Sequence, residues 1–166
     1  MILAIDVQYY DDYARAAGVL FEHWDDAKPV KEIIRLLHPS QYGEYVPGHF
    51  YKRELPCIMA IVEALDEKVT AIIVDGYVDL DEKPGLGRHL YHKVGVEIPI
   101  IIGVAKSRFK KAVCLEVQRE SGKPLYVTST NDYITSILDD RIKSMHGKFR
   151  NPTLLKRVDH LARGFK

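Results

Sequence analysis

The segments VTAIIVDGY (residues 69–77) and IPIIIGVAK (residues 98–106) decide the fold class. Each is a short run of branched apolar residues, as expected of a strand that is buried on both faces. Between them, LGRHLYHKVG (residues 86–95) has helical spacing and closes at Gly95, a residue typical of helix ends. Buried strands separated by a helix predict a sheet covered by helices on both faces, and therefore an α/β fold.

The remaining segments extend this alternation. Further strands are predicted at residues 2–9, 16–24, 111–118 and 124–130, and further helices at 54–65, 131–145 and 152–163. The second of these strands follows the first at hairpin spacing, so we predict a mixed central sheet. Residues 30–38 (VKEIIRLLH) leave two alternatives open, because their spacing favours a helix while their position suits a third hairpin strand. Pro56 is expected in the first turn of its helix.

Length and composition indicate one ordinary globular domain spanning residues 1–166. The chain is 46% hydrophobic and 28% charged, and it contains no repeat or linker. No apolar run approaches the ~20 residues that a membrane span needs, and no signal peptide is apparent. Cys57 and Cys114 lie inside apolar segments, which predicts reduced core residues in a cytoplasmic protein.

The small net charge of +1 conceals an uneven distribution of charge along the chain. Residues 1–67 carry six basic and twelve acidic side chains, whereas residues 141–166 carry eight basic side chains and one acid. A second basic cluster is AKSRFKK, residues 105–111. Such runs are often only solvated surface, but an acidic region beside a basic one also suits a protein that binds cations and a polyanion together. Nucleic acid is therefore a candidate partner.

Three isolated carboxylates are candidates for a metal site. Asp6 interrupts an apolar strand, where an unpaired charge would cost several kcal/mol. Asp75 ends a buried strand, at the place where α/β folds usually hold their sites. Glu54 begins a helix. If the three converge, they offer the oxygen ligands that Mg²⁺ prefers.

Each carboxylate also has a structural explanation. Glu54 could be a favourable charge at a helix N-terminus, and Asp75 could be a turn former before Gly76. Asp6 is the hardest to explain structurally. An aspartyl-phosphatase pattern fails because Gln8 occupies its second acid position, and the chain has no Walker loop, G-x-S-x-G motif or zinc-type cysteine spacing.

Taken together, the chain resembles the endonuclease V family. The resemblance rests on five segments that occur in family order: AIDVQY (4–9), YVPGHFYKRELP (45–56), IIVDGY (72–77), LGRHLYHKVGVEIPIIIGVAKSRF (86–109) and KPLYVTST (123–130). It implies an RNase H-like fold. It also implies a Mg²⁺-dependent endonuclease, for which Mn²⁺ can substitute, that cuts nucleic acid at the second phosphodiester bond on the 3′ side of inosine.

The resemblance also implies roles for individual residues. Asp6, Glu54 and Asp75 match the family's metal-binding carboxylates, and Lys106 matches the lysine expected at the scissile phosphate or the attacking water. The family's base-recognition motifs match the following residues: Tyr45, Val46, Pro47 and Gly48 in the wedge that splays out the base, and Gly76 after Asp75. The chain departs from the pattern in several places: Glu44 replaces the proline before the wedge, Val78 replaces a glycine after V-D-G, and the histidine of the family's following H-P-R is missing.

The C-terminal segment FRNPTLLKRVDHLAR (149–163) offers two neighbouring residues for the further Asp or His that the family places near its metals. Adjacent helical residues point about 100° apart, so Asp159 and His160 cannot both face the metals. We favour Asp159, because it borders an apolar stripe and because Mg²⁺ prefers carboxylate oxygen to imidazole. The alternative is that Asp159 only pairs with Arg163 at i,i+4.

The sequence as a whole predicts a monomeric, metal-dependent endonuclease that repairs or processes DNA or RNA at inosine or at other deaminated or distorted sites. Asp6 and Asp75 are expected to orient the attacking water, with Lys106 stabilising the added charge. One alternative is a module of the same fold that binds nucleic acid without cutting it. Another is a phosphohydrolase of small nucleotides, although a small substrate needs no extended basic surface.

Overall fold

A seven-stranded mixed sheet runs through the centre of the protein in the computed structural model, which describes residues 1–166. The strands in chain order are β1 (Ile2–Tyr9), β2 (Ala14–Phe21), β3 (Lys31–Leu37), β4 (Ala71–Asp75), β5 (Asp79–Leu80), β6 (Lys83–Pro84), β7 (Ile100–Ala105), β8 (Leu115–Val117) and β9 (Leu125–Ser129). The order across the sheet is β3-β2-β1-β4-β7-β9-β8, and β5 and β6 form a separate small hairpin.

The centre of the sheet is parallel and its two sides are antiparallel. Strands β1, β4 and β7 run parallel, while β2 and β3 form antiparallel pairs on one side and β9 and β8 on the other. The ambiguous segment at residues 30–38 is therefore a strand. It pairs with residues 14–20 of β2, and it buries Ile33 and Leu37 while Leu36 stays 61% exposed, as suits an edge strand.

Helices cover both faces of the sheet. They are α1 (Pro39–Tyr42), α2 (Tyr51–Val62), α3 (Leu86–Val94), α4 (Thr135–Ser144) and α5 (Thr153–Ala162), with 3₁₀ turns at Gly95–Glu97 and Asp132–Ile134. Because side chains alternate along a strand, Leu3 and Ile72 pack with α2 and α3, whereas Ala4 and Ile73 pack with α4 and α5. The α/β prediction of a mixed sheet with helices on both faces is confirmed.

Several details differ from the expectation. The second strand ends at Phe21 and not at residue 24, and β8 spans only Leu115–Val117. Helix α2 begins at Tyr51, three residues before Glu54, so Pro56 lies inside the helix and not in its first turn. Proline removes one hydrogen bond there, to the carbonyl of residue 52, and Lys52 is exposed, so that solvent can satisfy the freed carbonyl. The β5–β6 hairpin was not predicted, because strands of two residues show no periodicity.

The buried guanidinium of Arg119 orders the chain between α4 and α5. It donates to the carbonyl oxygens of Ile142 at 2.6 Å, Met145 at 3.1 Å and Phe149 at 2.9 Å, and it also contacts that of Gly147. The last carbonyls of a helix have no partner within it, and a cation is favourable at that end. Arg119 thus terminates α4 and fixes the segment that leads into α5.

Both cysteines are unpaired, with Cys57 buried and Cys114 half-buried. No helix combines the length and the apolar character that crossing a membrane would require.

Candidate functional site

Two of the candidate carboxylates lie side by side at the carboxyl edge of the parallel strands. Ile5 of β1 pairs with Val74 of β4, so the next residues, Asp6 and Asp75, are neighbours on adjacent strands. Adjacent strands lie roughly 5 Å apart. Asp6 alternates with Ala4, and Asp75 with Ile73, and both side chains therefore point to the face that α5 covers.

Polar side chains at the carboxyl edge of the parallel strands line a small cleft. Its polar lining consists of Asp6, Asp75, Lys106, Asn151 and Asp159, and its remaining walls are apolar side chains of the strands and of α5. The volume is about 40 Å³. A water needs ~10–15 Å³ on this measure, so a few water-sized groups fit.

Glu54 lies outside this cleft. Its helix, α2, packs on the opposite face of the sheet from α5, although the ionised Asp6 and Asp75 are close enough to act on it electrostatically. The neighbouring Arg53 lies over the ring of Tyr9, with 3.7 Å between the guanidinium carbon and the ring centre. Glu54 thus approaches the edge of the sheet from the side opposite to Asp159.

Burial and nearby negative charges raise the pKa values of Asp6, Glu54 and Asp75. Burial, and then the charge of Asp75, raises the pKa of Asp6 to about 7. Burial, and then the charges of Asp6 and Asp75, raises the pKa of Glu54 to about 8. Burial also raises the pKa of Asp75, against the opposing effect of Lys106, although Asp75 is open to solvent on one side. Carboxyl groups that are buried close together, where ionising them costs free energy, are candidates for binding a cation.

The donor chemistry of this edge fits Mg²⁺. In this structure no three His, Cys, Asp or Glu side chains stand close enough together to enclose an ion. Mg²⁺ does not require such a cage, because it usually keeps several waters and binds through one or two carboxylates. Asp6 and Asp75 supply two carboxylates on adjacent strands, and the cleft has room for waters beside them.

The structure places Asp159 in the cleft and directs His160 elsewhere. Asp159 lines the cleft and also pairs with Arg163, at 3.2 Å from Oδ1 to Nε. The ring of His160 instead packs edge-on against Phe165, with 5.4 Å between the ring centres.

The predicted wedge is an exposed turn directly before α2. Val46 accepts a hydrogen bond from the amide of His49 at 2.9 Å, and Gly48, with a φ of 78°, occupies the third position of this four-residue turn. A positive φ there marks a type II turn, which favours proline second and glycine third, as found in Pro47 and Gly48. Tyr45 is 57% exposed beside the turn.

An apolar cavity of about 300 Å³ lies between the wedge segment and the carboxyl edge. Its lining includes Phe50, Gly76, Tyr77, Leu80 and Phe109. The hydroxyl of Tyr77 donates to the carbonyl of Ser107 at 2.7 Å and accepts from the amide of Phe109 at 2.9 Å. These bonds fix one wall of the cavity.

Comparison with known proteins agrees with this geometry. A model of the family Endonuclease V matches residues 1–146, most of the chain. The chain belongs to the endonuclease V family. Membership supports a nuclease that acts on nucleic acid.

Solved structures of endonuclease V share the fold. The chain is 26% identical to endonuclease V from Streptomyces avermitilis, with a TM-score of 0.76 over 98% of this chain and 79% of that one. It is 21% identical to human ENDOV, with a TM-score of 0.74 over 98% and 82% of the two chains. A protein of unknown function from Archaeoglobus fulgidus is 13% identical, with a TM-score of 0.58 over 98% and 96%. No curated protein sequence matches significantly.

At Val78, where the chain departs from the endonuclease V pattern, the side chain packs inside the protein. Val78 is 1% exposed and lies against Gly87 of α3, where a Cβ on the glycine would come within 2.8 Å of the valine side chain. Its amide donates to the hydroxyl of Thr128 at 2.9 Å. The larger side chain is thus absorbed by the packing of α3.

Sequence reasoning missed Asn151 and most of the cavity lining. Asn151 reaches the cleft because Arg119 fixes the preceding segment, which no local pattern reveals. Tyr77 and Phe109 were each visible beside a recognised motif, in VDGY and KSRF, and that proximity was the one available signal.

The raised pKa values predict how stability depends on pH in the metal-free protein. The folded pKa values of Asp6 and Glu54 exceed the unfolded ones, so their stabilising effect is complete below about pH 4 and is lost as pH rises through about 7 and 8. Glu54→Gln should therefore be more stable than the wild type above pH 8, by on the order of 2–4 kcal/mol. Urea unfolding in EDTA from pH 5 to pH 9 measures this.

The control is Glu63→Gln, which changes an exposed glutamate at the end of the same helix and should follow the wild-type curve. A constant difference between Glu54→Gln and wild type across the pH range would contradict the assignment of a raised pKa to Glu54.

Proposed function

We propose that this protein is a Mg²⁺-dependent endonuclease that hydrolyses a phosphodiester bond near inosine or other deaminated bases in DNA or RNA. The observation that carries the proposal is the adjacency of Asp6 and Asp75 in a cleft that also contains Lys106 and Asp159. Family membership supports the nuclease class. The bond cut is proposed to be the second one on the 3′ side of inosine.

Asp6 and Asp75 would hold the metal, with Asp159 from one face of the sheet and Glu54 from the other as further oxygen ligands. Bound Mg²⁺, for which Mn²⁺ can substitute, would supply positive charge that lowers the cost of charge building up on the phosphate oxygens. The raised pKa values of Asp6 and Glu54 support this assignment, because a cation would offset both the burial and the repulsion that raise them.

The chain's own groups would position the reacting atoms. Asp6 and Asp75 accept hydrogen bonds and so can orient an attacking water beside the phosphate. The exposed Lys106 directly follows β7, the strand that pairs with β4 at Asp75, and its Nζ can bind a phosphate oxygen and stabilise the added charge. The apolar walls of the cleft limit the number of competing waters.

The wedge and the apolar cavity would recognise the base. Tyr45 would insert beside the lesion while the base turns out of the stack, which costs least at a mismatched or unpaired base. The cavity of about 300 Å³ beside Gly76 can receive an extruded base, with the rings of Tyr77 and Phe109 in its walls. We propose Tyr45, Val46, Pro47, Gly48 and Gly76 as the recognition residues.

The cellular role that fits this activity is repair or processing of deaminated nucleic acid by a monomer in the cytoplasm. A protein that binds such sites without cutting them is the second candidate.

The cleavage test is direct. Wild-type protein with Mg²⁺ should cut inosine-containing strands, and EDTA or Asp75→Asn should abolish cutting. EDTA removes the cation, and Asp75→Asn removes one of the carboxylates that would bind it. Single- and double-stranded DNA and RNA oligonucleotides provide the assay. Asp25→Asn is the control, because Asp25 is exposed at the opposite edge of the sheet and should be silent. Cutting that persists in EDTA contradicts the metal mechanism, and binding without cutting supports the second candidate.

Single substitutions distinguish the role of Asp159 from that of His160. Asp159→Ala should lower the cleavage rate at least tenfold with little loss of substrate affinity, whereas His160→Ala should be nearly silent. Arg163→Ala is the matched control, since it breaks the same ion pair but leaves the carboxylate in the cleft. An equal loss of rate in Arg163→Ala and Asp159→Ala would show that the ion pair matters and the carboxylate does not.

Tyr45→Ala should weaken cleavage of inosine in duplexes more than in flexible single strands, because stacking is worth ~1–3 kcal/mol per base. A loss of roughly tenfold is expected for duplexes. Tyr45→Phe keeps the ring and should retain most of the activity. Equal cleavage rates of Tyr45→Ala and wild type on duplexes would show that Tyr45 takes no part in recognising the base.

A further inference from the structure

Phe149 presents an aromatic ring on the basic side of the molecule. The residue is 58% exposed, and the ammonium groups of Lys148 and Lys156 lie 5.6 and 5.7 Å from the ring centre. Neither lysine forms an ion pair with a carboxylate, so their charges are available to a ligand. We name Phe149, Lys148 and Lys156 the aromatic platform.

Two side chains hold the backbone of the aromatic platform in place through hydrogen bonds. The Nε of Arg119 donates to the carbonyl of Phe149 at 2.9 Å, and the hydroxyl of Ser121 donates to the carbonyl of Lys148 at 3.1 Å. A ring held in place by its own backbone loses little conformational freedom when a ligand stacks on it. Phe149 is therefore exposed on an ordered segment and does not belong to a frayed chain end.

The platform lies next to the carboxylate cleft. Asn151, two residues after Phe149, lines the cleft, and so does Leu155, which adjoins Lys156 on α5. Two residues span at most ~7 Å. The platform therefore stands on the α5 side of the sheet, whereas the wedge segment precedes α2 on the other side.

We propose that the aromatic platform binds the nucleic-acid strand itself. Phe149 stacks a base that lies one or two nucleotides from the phosphate in the cleft, and Lys148 and Lys156 pair with the phosphates that flank this base. The alternation of charge and ring matches the alternation of phosphate and base in a single strand, and it requires no particular base. The proposal rests on the proposed nuclease function, because it assumes that a strand passes through the cleft.

The test is a binding measurement on a strand that cannot be cut. Fluorescein-labelled single strands of undamaged DNA and RNA, of one sequence, are titrated with each variant in EDTA and followed by anisotropy. Phe149→Ala should bind roughly tenfold more weakly than the wild type, and Phe149→Tyr should bind within about twofold, because tyrosine keeps the stacking face. The double variant Lys148→Gln, Lys156→Gln should lower the salt dependence of log K by about 1 to 1.5, since each phosphate contact in a single strand contributes about 0.7.

Tyr133→Ala is the matched control. Tyr133 is 93% exposed, and it follows β9 near the start of β7, at the opposite edge of the sheet from the cleft. Its removal should leave binding unchanged. Thermal unfolding of each variant verifies that the fold is retained.

The outcomes separate this proposal from the nuclease itself. If the wild type binds the strands and Phe149→Ala binds them equally well, the proposal that the platform binds the strand is wrong. The proposed nuclease function is then decided separately by its cleavage assay. If Tyr133→Ala weakens binding as much as Phe149→Ala does, stacking at Phe149 is again wrong. If the wild type binds no strand of either kind, the proposal for the aromatic platform is wrong, and the cleavage assay with Mg²⁺ and inosine-containing strands still decides the nuclease function.

Discussion

The burial of two neighbouring carboxylates at the carboxyl edge of β1 and β4 is the constraint on which the rest of the structure depends. The parallel pairing of these strands brings Asp6 and Asp75 to adjacent positions, and the core around them withholds the water that would screen their charges. Burial and repulsion raise their pKa values, and the effect extends to Glu54 on the opposite face. A protein without use for a cation there would be more stable with neutral side chains in these places.

The sheet divides the site into two halves. Helix α5 brings Asp159 and the Phe149 segment from one face, while α2 brings Glu54 and the wedge from the other. The carboxylates of the two central strands lie between these halves. A nucleic-acid strand that crosses the edge of the sheet would therefore meet base recognition on one side and the aromatic platform on the other. The buried Arg119 contributes indirectly, because it fixes the chain that positions Asn151 and Phe149.

Local sequence patterns predicted the elements that depend on local forces. The buried strands around Asp6 and Asp75 and the helix ending at Gly95 all follow from apolar spacing and residue preference. The segment at residues 30–38 remained ambiguous because its conformation depends on pairing with β2, a contact between separate parts of the chain. The early start of α2 was likewise missed, because no capping residue marks it at Phe50. The separation of Glu54 from the cleft, the approach of Asn151 and the apolar cavity all depend on how helices pack on the two faces, which no window of sequence contains.

Magnesium-dependent stability of the folded protein tests the central claim most directly, because it reports on the carboxylates without requiring a substrate. At pH 8 we expect the thermal midpoint of the wild type to rise steadily with Mg²⁺ concentration, since a ligand that binds only the folded state stabilises it by mass action. Asp75→Asn should lose most of this rise, and Asp25→Asn should keep it. A wild-type midpoint that does not change with Mg²⁺, or an equal rise in Asp75→Asn, would contradict the claim that these carboxylates form a divalent-ion site.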